Sequence, residues 1–368
     1  MITPKDFVNY LKKKGINFFS GVPDSVLKSL INYLQANNKF NHEIAVNEGS
    51  AISLGIGFNL ATKKIPLIYF QNSGLGHALN PISSMADKNI FSIPMLILVG
   101  RRGKPGIKDE PQHKVFGPKI FKIISAAGLK AFDINPKNFK KKISYALKYI
   151  KKNSAPAFII VDKNFFLNFK SEFLNKRVVY KYKRINYIET ILKNKKKSDI
   201  IIGSTGFASR ELFYLNEKLK LGHKNSFYCI GAMGHANQIA YIISKIRKNK
   251  RIFILDGDGA VQMHMGNLVK IADKRNKNIL HIIFNNNVHE STGNHFVANT
   301  LLSYKKIFKA FNYKNSIEVK STSALKKLIN KKNFYGPAGI EVKINPGTIK
   351  NLPRPHLTTL EQKKLFIV

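Results

Sequence analysis

The chain has 368 residues and carries 62 Lys and Arg against 21 Asp and Glu, a formal charge of +41. With 44% apolar residues it can bury a large core, and the length suggests two domains. A single cysteine, Cys229, excludes an intrachain disulfide framework and fits a reducing compartment.

No secretory signal is read in the first 20 residues, where Lys5, Asp6 and Lys12 to Lys14 interrupt any apolar run. An apolar run predicts a strand over 17–21, and the spacing of Val26, Leu27, Leu30, Ile31 and Leu34 predicts a helix over 25–34. A strand over 42–46 then leads into a small-residue helix over 49–61. Continuous apolar runs at 66–71, 95–99 and 157–161 predict strands of the kind buried in parallel sheets. The stretch at 93–100 is far shorter than the roughly 18 apolar residues of a membrane span, so a cytoplasmic chain with no membrane partner is expected. Polar, lysine-rich residues 163–182 read as a linker. The alternation resumes with strands predicted over 199–202, 227–230, 251–255, 280–284 and 338–342. The expected fold is α/β: two domains, 1–162 and 183–368, each a mostly parallel sheet flanked by helices. In such folds ligands sit beyond the carboxyl ends of the strands.

The residues after those ends carry the chemistry. The strand over 251–255 runs into Asp256-Gly257-Asp258-Gly259-Ala260, and the next strand ends at Asn285-Asn286-Asn287. One helix and one strand separate Asp258 from Asn286, which returns the chain to the same sheet edge. A carboxylate and an amide oxygen facing each other there suit Mg²⁺, a hard cation that prefers oxygen ligands and keeps phosphate oxygens in its shell. The glycines let backbone N–H groups approach a diphosphate. Glu48, between a strand and a helix, sits where a helix dipole favours an acid.

The 257–259 and 286 pattern resembles the metal–diphosphate motif of thiamine-diphosphate-dependent enzymes. The spacing differs by about a residue from the commonest form, so Asn285 stays open as the ligand in place of Asn286. The resemblance implies thiamine diphosphate and Mg²⁺ as cofactors, with the Val288 carbonyl as a further metal ligand. It implies that Glu48 hydrogen-bonds the cofactor's pyrimidine, that Met233 supports its bent shape, and that the turn Ser204-Thr205-Gly206 contacts the diphosphate. It also implies a pyrimidine-binding first domain and a diphosphate-binding second one. One chain's Glu48 would then face another's Asp258, making a homo-oligomer of at least two chains with active sites between them.

Along its whole length the chain is similar to one branch of this family, the phosphonopyruvate decarboxylases. The carriers are Gly21-Val22-Pro23-Asp24-Ser25, Asn47-Glu48-Gly49-Ser50, Gln71-Asn72-Ser73-Gly74-Leu75-Gly76, and the loop from Arg102 through Lys108, Gln112 and His113. In the second half they are Ser204-Thr205-Gly206, Ser209-Arg210-Glu211-Leu212, His289-Glu290-Ser291-Thr292-Gly293 and the tail from Pro346 to Glu361. Sulfopyruvate decarboxylases are similar, often with the two domains on separate chains, and are the alternative. Arg101, where many relatives have Trp, and His77, where they have a smaller polar residue, depart from the pattern.

The implied reaction takes a small anionic 2-oxo acid, 3-phosphonopyruvate, to phosphonoacetaldehyde and carbon dioxide in phosphonate biosynthesis. Its anionic head needs cations, and Arg101, Arg102, Lys104 and Lys108 are candidates, with Ser25, Gln112 and Thr292 as further substrate contacts. Asn72 and Ser73 join Glu48 as cofactor contacts. His113, Asp24 and His289 can shuttle protons. The other class of function, a non-catalytic binder of nucleic acid or anionic surfaces, is weighed on the charge. Only nine of the basic residues are Arg and 53 are Lys, spread through every segment together with abundant Asn, Ile and Phe. That pattern reads as solvated faces of a compositionally biased chain, and no nucleic-acid partner is expected.

Overall fold

The computed structural model describes residues 1–37, 40–170, 179–332 and 334–366. Residues 171–178 of the expected linker lie outside the described residues. The chain forms two compact units, Met1–Lys176 with Thr292–Ala298, and Arg177–Ser291 with Asn299–Val368.

Unit 1 is built on six parallel strands: β1 (Phe18–Gly21), β2 (Asn41–Ile44), β3 (Leu67–Gln71), β4 (Met95–Gly100), β5 (Lys130–Asp133) and β6 (Pro156–Val161), in the order β2-β1-β3-β4-β6-β5. All six residues of β4 and of β6 are buried, because helices cover both faces of the sheet and every side chain of a central strand then meets apolar neighbours. Phe7, Leu30, Tyr69, Leu98 and Ile159 belong to one continuous core.

The helix Glu48–Thr62 starts where Asn47 accepts the Ser50 amide at 2.8 Å, and stops at Lys63, whose φ of 60° is left-handed. The helix expected from 25 begins later, at Lys28. The Asp24 carboxylate takes the amides of Val26 and Leu27 at 3.1 and 3.2 Å, holding them in a turn outside the helix.

Unit 2 repeats the plan with β7 (Ile200–Gly203), β8 (Ser226–Tyr228), β9 (Ile252–Gly257), β10 (Ile279–Asn285), β13 (Asn315–Val319) and β14 (Ala338–Lys343), in the order β13-β14-β10-β9-β7-β8. The short β11 (Val288–His289) follows β10, and the short β12 (His295–Phe296) lies in the segment that belongs to unit 1. Phe284 of β10 pairs with Gly257 of β9, and Gly203 of β7 with Leu255, so these strands end along one edge.

Both sheets are wholly parallel, as the apolar runs imply. The apolar pattern misses β5 and β13, whose side chains are mostly half-buried or exposed and include Lys130, Asn315 and Glu318. Both lie at a sheet edge, a position that relieves a strand of the need for a continuous apolar run. Among the described residues no helix is long and apolar enough to cross a membrane.

Candidate active site

In unit 2 the strand ends assemble one group of polar atoms. Asp258 opens the short helix Asp258–Met263 directly after β9 and is buried. Its Oδ1 accepts the Gly259 amide at 2.9 Å and its Oδ2 the Asn287 amide at 2.6 Å, across from the end of β10. Burial pushes its pKa up to about 7 despite these donors.

Asn286 Oδ1 accepts the Val288 amide at 3.0 Å, and its Nδ2 donates to Glu290 Oε2 at 3.0 Å. Asn287 turns the chain with φ 60°, which brings these backbone groups round to Asp258. Asn285 is split between the two sides, and its Oδ1 accepts the same Asn287 amide at 3.3 Å. Its Nδ2 donates to Glu341 Oε1 on β14 at 3.0 Å, on the side of β10 remote from β9 in the sheet order.

Around Asp258 the backbone is left bare. Gly257 has open space where a Cβ would stand, and Gly206, at φ +95°, has only the Ser291 side chain within 4 Å. Gly259 has no such room, since a Cβ would lie 2.8 Å from His289 Cε1 and 3.3 Å from the half-buried Met233. Gly234 brings the 231–234 turn against the Ala260 carbonyl in the same way. Asp258, Asn286, Val288, Gly257, Gly259, Ala260, Met233 and His289 therefore form one neighbourhood in unit 2. Thr205 and Gly206 follow β7 at the same sheet edge.

The donor set fits a divalent cation and a diphosphate. It has one buried carboxylate, an amide oxygen, and glycine backbone without side chains in the way. Among the described residues no three His, Cys, Asp or Glu cluster to hold a metal, so a cation here would take mainly neutral oxygens. That is the habit of Mg²⁺ beside phosphates.

In unit 1 the buried Glu48 opens its helix, and Glu48 Oε2 lies 2.9 Å from His77 Nδ1. A Cβ on Gly74 would collide with Glu48 Oε1, so the bare backbone there makes room for the carboxylate. The hydrogen bond from His77 to Glu48 raises the His77 pKa. Asp24 is fully buried, and burial raises its pKa although Gln71 Nε2 donates to its Oδ1 at 2.7 Å. Ser73 Oγ donates to the same Gln71 at 2.9 Å.

Arg102 joins the pieces. Its guanidinium donates to Ser25 Oγ at 2.9 Å, and its Nε to Asp109 Oδ2 at 2.8 Å. Both ends of the Asn72 amide engage the Arg102 backbone, at 3.0 and 2.9 Å. His113 is buried beside it, and burial, then the Arg102 charge, lower its pKa and favour the neutral ring. The Gln112 amide oxygen is buried without a hydrogen-bond partner among the described residues. Asp24, Ser25, Asn72, Ser73, Arg102 and His113 are thus brought together.

Arg101 points elsewhere. Its donors go to Asp162 at 2.6 and 2.8 Å and to Asp133 at 3.4 Å, with Phe121 stacked on it and Lys104 Nζ on the same Asp162 at 2.6 Å. Lys108 stands exposed on the loop, and Thr292 lies in the segment grouped with unit 1. The sequence reading missed the residues that hold these side chains: Gln71 under Asp24, Asp109 under Arg102, and Glu290 with Arg184 under Asn286. Asp109 and Glu290 stood inside recognised segments. Arg184 had no local signal, because what marks it is a buried partner 106 residues away.

Comparison with known proteins brings two matches of one family. Residues 3–123 match the thiamine pyrophosphate enzyme N-terminal TPP binding domain, and residues 202–342 the C-terminal TPP binding domain. The chain is 26% identical to a phosphonopyruvate decarboxylase of Streptomyces viridochromogenes, over 100% of this chain and 94% of that protein. It is 23% identical to a sulfopyruvate decarboxylase of Methanosarcina acetivorans, over 100% and 97%. A sulfopyruvate decarboxylase subunit alpha of Methanocaldococcus jannaschii is 30% identical over 42% of this chain and 89% of its own length.

Proposed function

Since the chain belongs to the thiamine pyrophosphate enzymes, with both of that family's binding domains, we propose that it decarboxylates 3-phosphonopyruvate to phosphonoacetaldehyde and carbon dioxide. The observation that carries the substrate is the end-to-end likeness to a protein named phosphonopyruvate decarboxylase. Thiamine diphosphate, when bound, supplies the electron sink for the pair left as carbon dioxide departs.

In this reading unit 2 holds the diphosphate and Mg²⁺, with Asp258, the Asn286 amide oxygen and the Val288 carbonyl as metal ligands. Asn286 is preferred to Asn285 because its amide stays within the loop that bonds Asp258, whereas the Asn285 NH₂ reaches across to Glu341 on β14. Thr205, Gly206, Gly257, Gly259 and Ala260 line the diphosphate, and Met233 supports the ring system. Unit 1 holds the pyrimidine through Glu48, which Gly74 gives room.

Arg102, aimed by Asp109 and Asn72, binds the phosphonate head, with Ser25 and Gln112 beside it and the exposed Lys108 adding charge attraction from the same loop. Arg101 is not carried forward as a substrate contact, because its acids, Asp162 and Asp133, are not part of the group that Arg102 shares with Ser25, Asn72 and Asp109. One proton must replace the departing carboxylate. Asp24, whose burial favours the protonated form, can deliver it, and the neutral ring of His113 can relay it. His289, beside Gly259, is a second relay at the diphosphate side. The active unit is a homodimer or larger.

The test adds phosphonopyruvate to purified protein with Mg²⁺, with and without thiamine diphosphate, and follows aldehyde through a coupled reductase. Aldehyde is expected only with the cofactor, and Glu48→Gln should abolish turnover while retaining Mg²⁺-dependent cofactor binding. Turnover of sulfopyruvate with higher kcat/KM than phosphonopyruvate would move the substrate to the alternative. A near-normal rate in the Glu48 variant would remove that residue from the chemistry.

A further inference from the structure

Behind Asn286 lies a buried charge cluster that the reaction above does not use. Arg184, at the start of the helix Arg184–Asn194, donates from Nε to Glu211 Oε2 at 2.9 Å and from Nη2 to Glu211 Oε1 at 3.2 Å. Its Nη1 donates to Glu290 Oε2 at 2.8 Å. Glu290 Oε1 accepts the Gly347 amide at 2.6 Å, and Glu290 Oε2 also accepts Asn286 Nδ2 at 3.0 Å. All three charged side chains are buried.

One guanidinium is here shared by two carboxylates. The Arg184–Glu211 pair is bidentate and complete by itself, and a second buried carboxylate adds desolvation cost without balancing charge. Glu290 therefore calls for a purpose outside the pair, and beyond the Gly347 amide its contact is the Asn286 side chain.

We propose that Glu290 is a positioning residue that fixes which end of the Asn286 amide faces the cation. The two ends of an amide have nearly the same shape and opposite chemistry: the oxygen can bind a cation and the NH₂ repels it. A carboxylate only accepts, so Glu290 takes the NH₂ end. The Val288 amide, a donor 3.0 Å from Oδ1, selects the oxygen on the other side. Arg184 and the Gly347 amide hold Glu290 in place, so the orientation is set by groups tied to distant parts of unit 2 rather than by the loop alone. This inference rests on the reading of Asn286 as a metal ligand.

An exchange of functional groups tests it, with metal and cofactor binding as the readout. Mn²⁺ affinity by electron paramagnetic resonance, and thiamine diphosphate binding by calorimetry across a Mg²⁺ series, are measured for the wild type and three variants. Glu290→Gln presents an NH₂ that can invert Asn286, and Asn286→Asp sets two carboxylates against each other. Each single variant should lose roughly 10- to 100-fold in metal affinity, the usual cost of disturbing a group that orients a ligand. The double variant, Asn286→Asp with Glu290→Gln, restores a donor facing an acceptor and should return to within a few-fold of wild type.

A double variant as weak as the product of the singles would overturn the proposal, as would a Glu290→Gln protein with wild-type metal affinity. If Glu290→Gln does not melt cooperatively, Glu290→Asp takes its place. It keeps a charge toward Arg184 but withdraws the carboxylate by one methylene, and the same loss is expected; unchanged affinity would again overturn the proposal. A wild type with no Mg²⁺-dependent cofactor binding would overturn the metal-site reading itself, and is told apart because it needs no variant.

Discussion

Gly74 and Gly100 show how single residues set the acids of unit 1. A Cβ at Gly74 would collide with the Glu48 carboxylate, and one at Gly100 with the carboxylate of Asp24. Neither glycine has a positive φ, so their role is clearance rather than backbone freedom. His77 adds an electrical constraint on Glu48. The hydrogen bond to Glu48 raises its pKa in the folded chain above the ordinary 6.5. A raised native pKa stabilises the fold fully below the unfolded value, near 6.5, and that contribution is lost as pH rises through the native pKa. The stability difference between wild type and His77→Asn should therefore be largest near pH 6 and shrink by pH 9. Thermal melts across that range, with the His77 ring titrated by NMR, measure it; a difference that grows with pH would contradict the pairing.

At the scale of elements, the loop after β4 is held as a folded unit rather than left as a solvated basic strand. Asp109 accepts from the Arg102 guanidinium, from the Gly103 amide at 2.8 Å and from the Glu110 amide at 2.8 Å. Burial would raise its pKa, but these donors together hold it well below the usual carboxylate range. Asp109→Asn removes the charge that aims Arg102 and should cost about 1–3 kcal/mol of stability, toward the low end because Arg102 is partly exposed. In turnover, a KM for the oxo acid raised roughly tenfold with kcat less affected would mark lost positioning of a binding group; an unchanged KM would detach the loop from substrate. Element existence was legible wherever apolar runs were long, as in β4, β6, β9 and β10. The edge strands β5 and β13 were not, because half-exposed strands carry polar residues that local pattern does not distinguish from loops, although the edge strands β2 and β8 were read from theirs. The late start of the helix at Lys28 was hidden for another reason: the Asp24 side chain competes for the amides, and that contact is not written in apolar spacing.

For the molecule as a whole, a formal charge of +41 means strong self-repulsion, with 53 lysines set against only 21 acids. Several of those acids are occupied by arginine, as in the pairs of Arg101 with Asp162, Arg184 with Glu211 and Arg251 with Asp199. Most lysines are left to repel one another across solvent, and salt screens such charges over about 10 Å at 0.1 M. The melting temperature should rise between 10 and 300 mM NaCl, read by calorimetry with buffer held constant; a fall would mean that ion pairs outweigh repulsion. The sequence by itself determined two parallel-sheet α/β units and most of their strands, because continuous apolar runs and glycine–acid turns are local properties of the chain. Only the tertiary structure gave Arg101 and Arg102 different acids, and the NH₂ groups of Asn285 and Asn286 different glutamates. Neighbouring residues on an extended chain point to opposite sides, and which side meets an acid such as Asp162 or Glu341 depends on strands paired from far along the sequence.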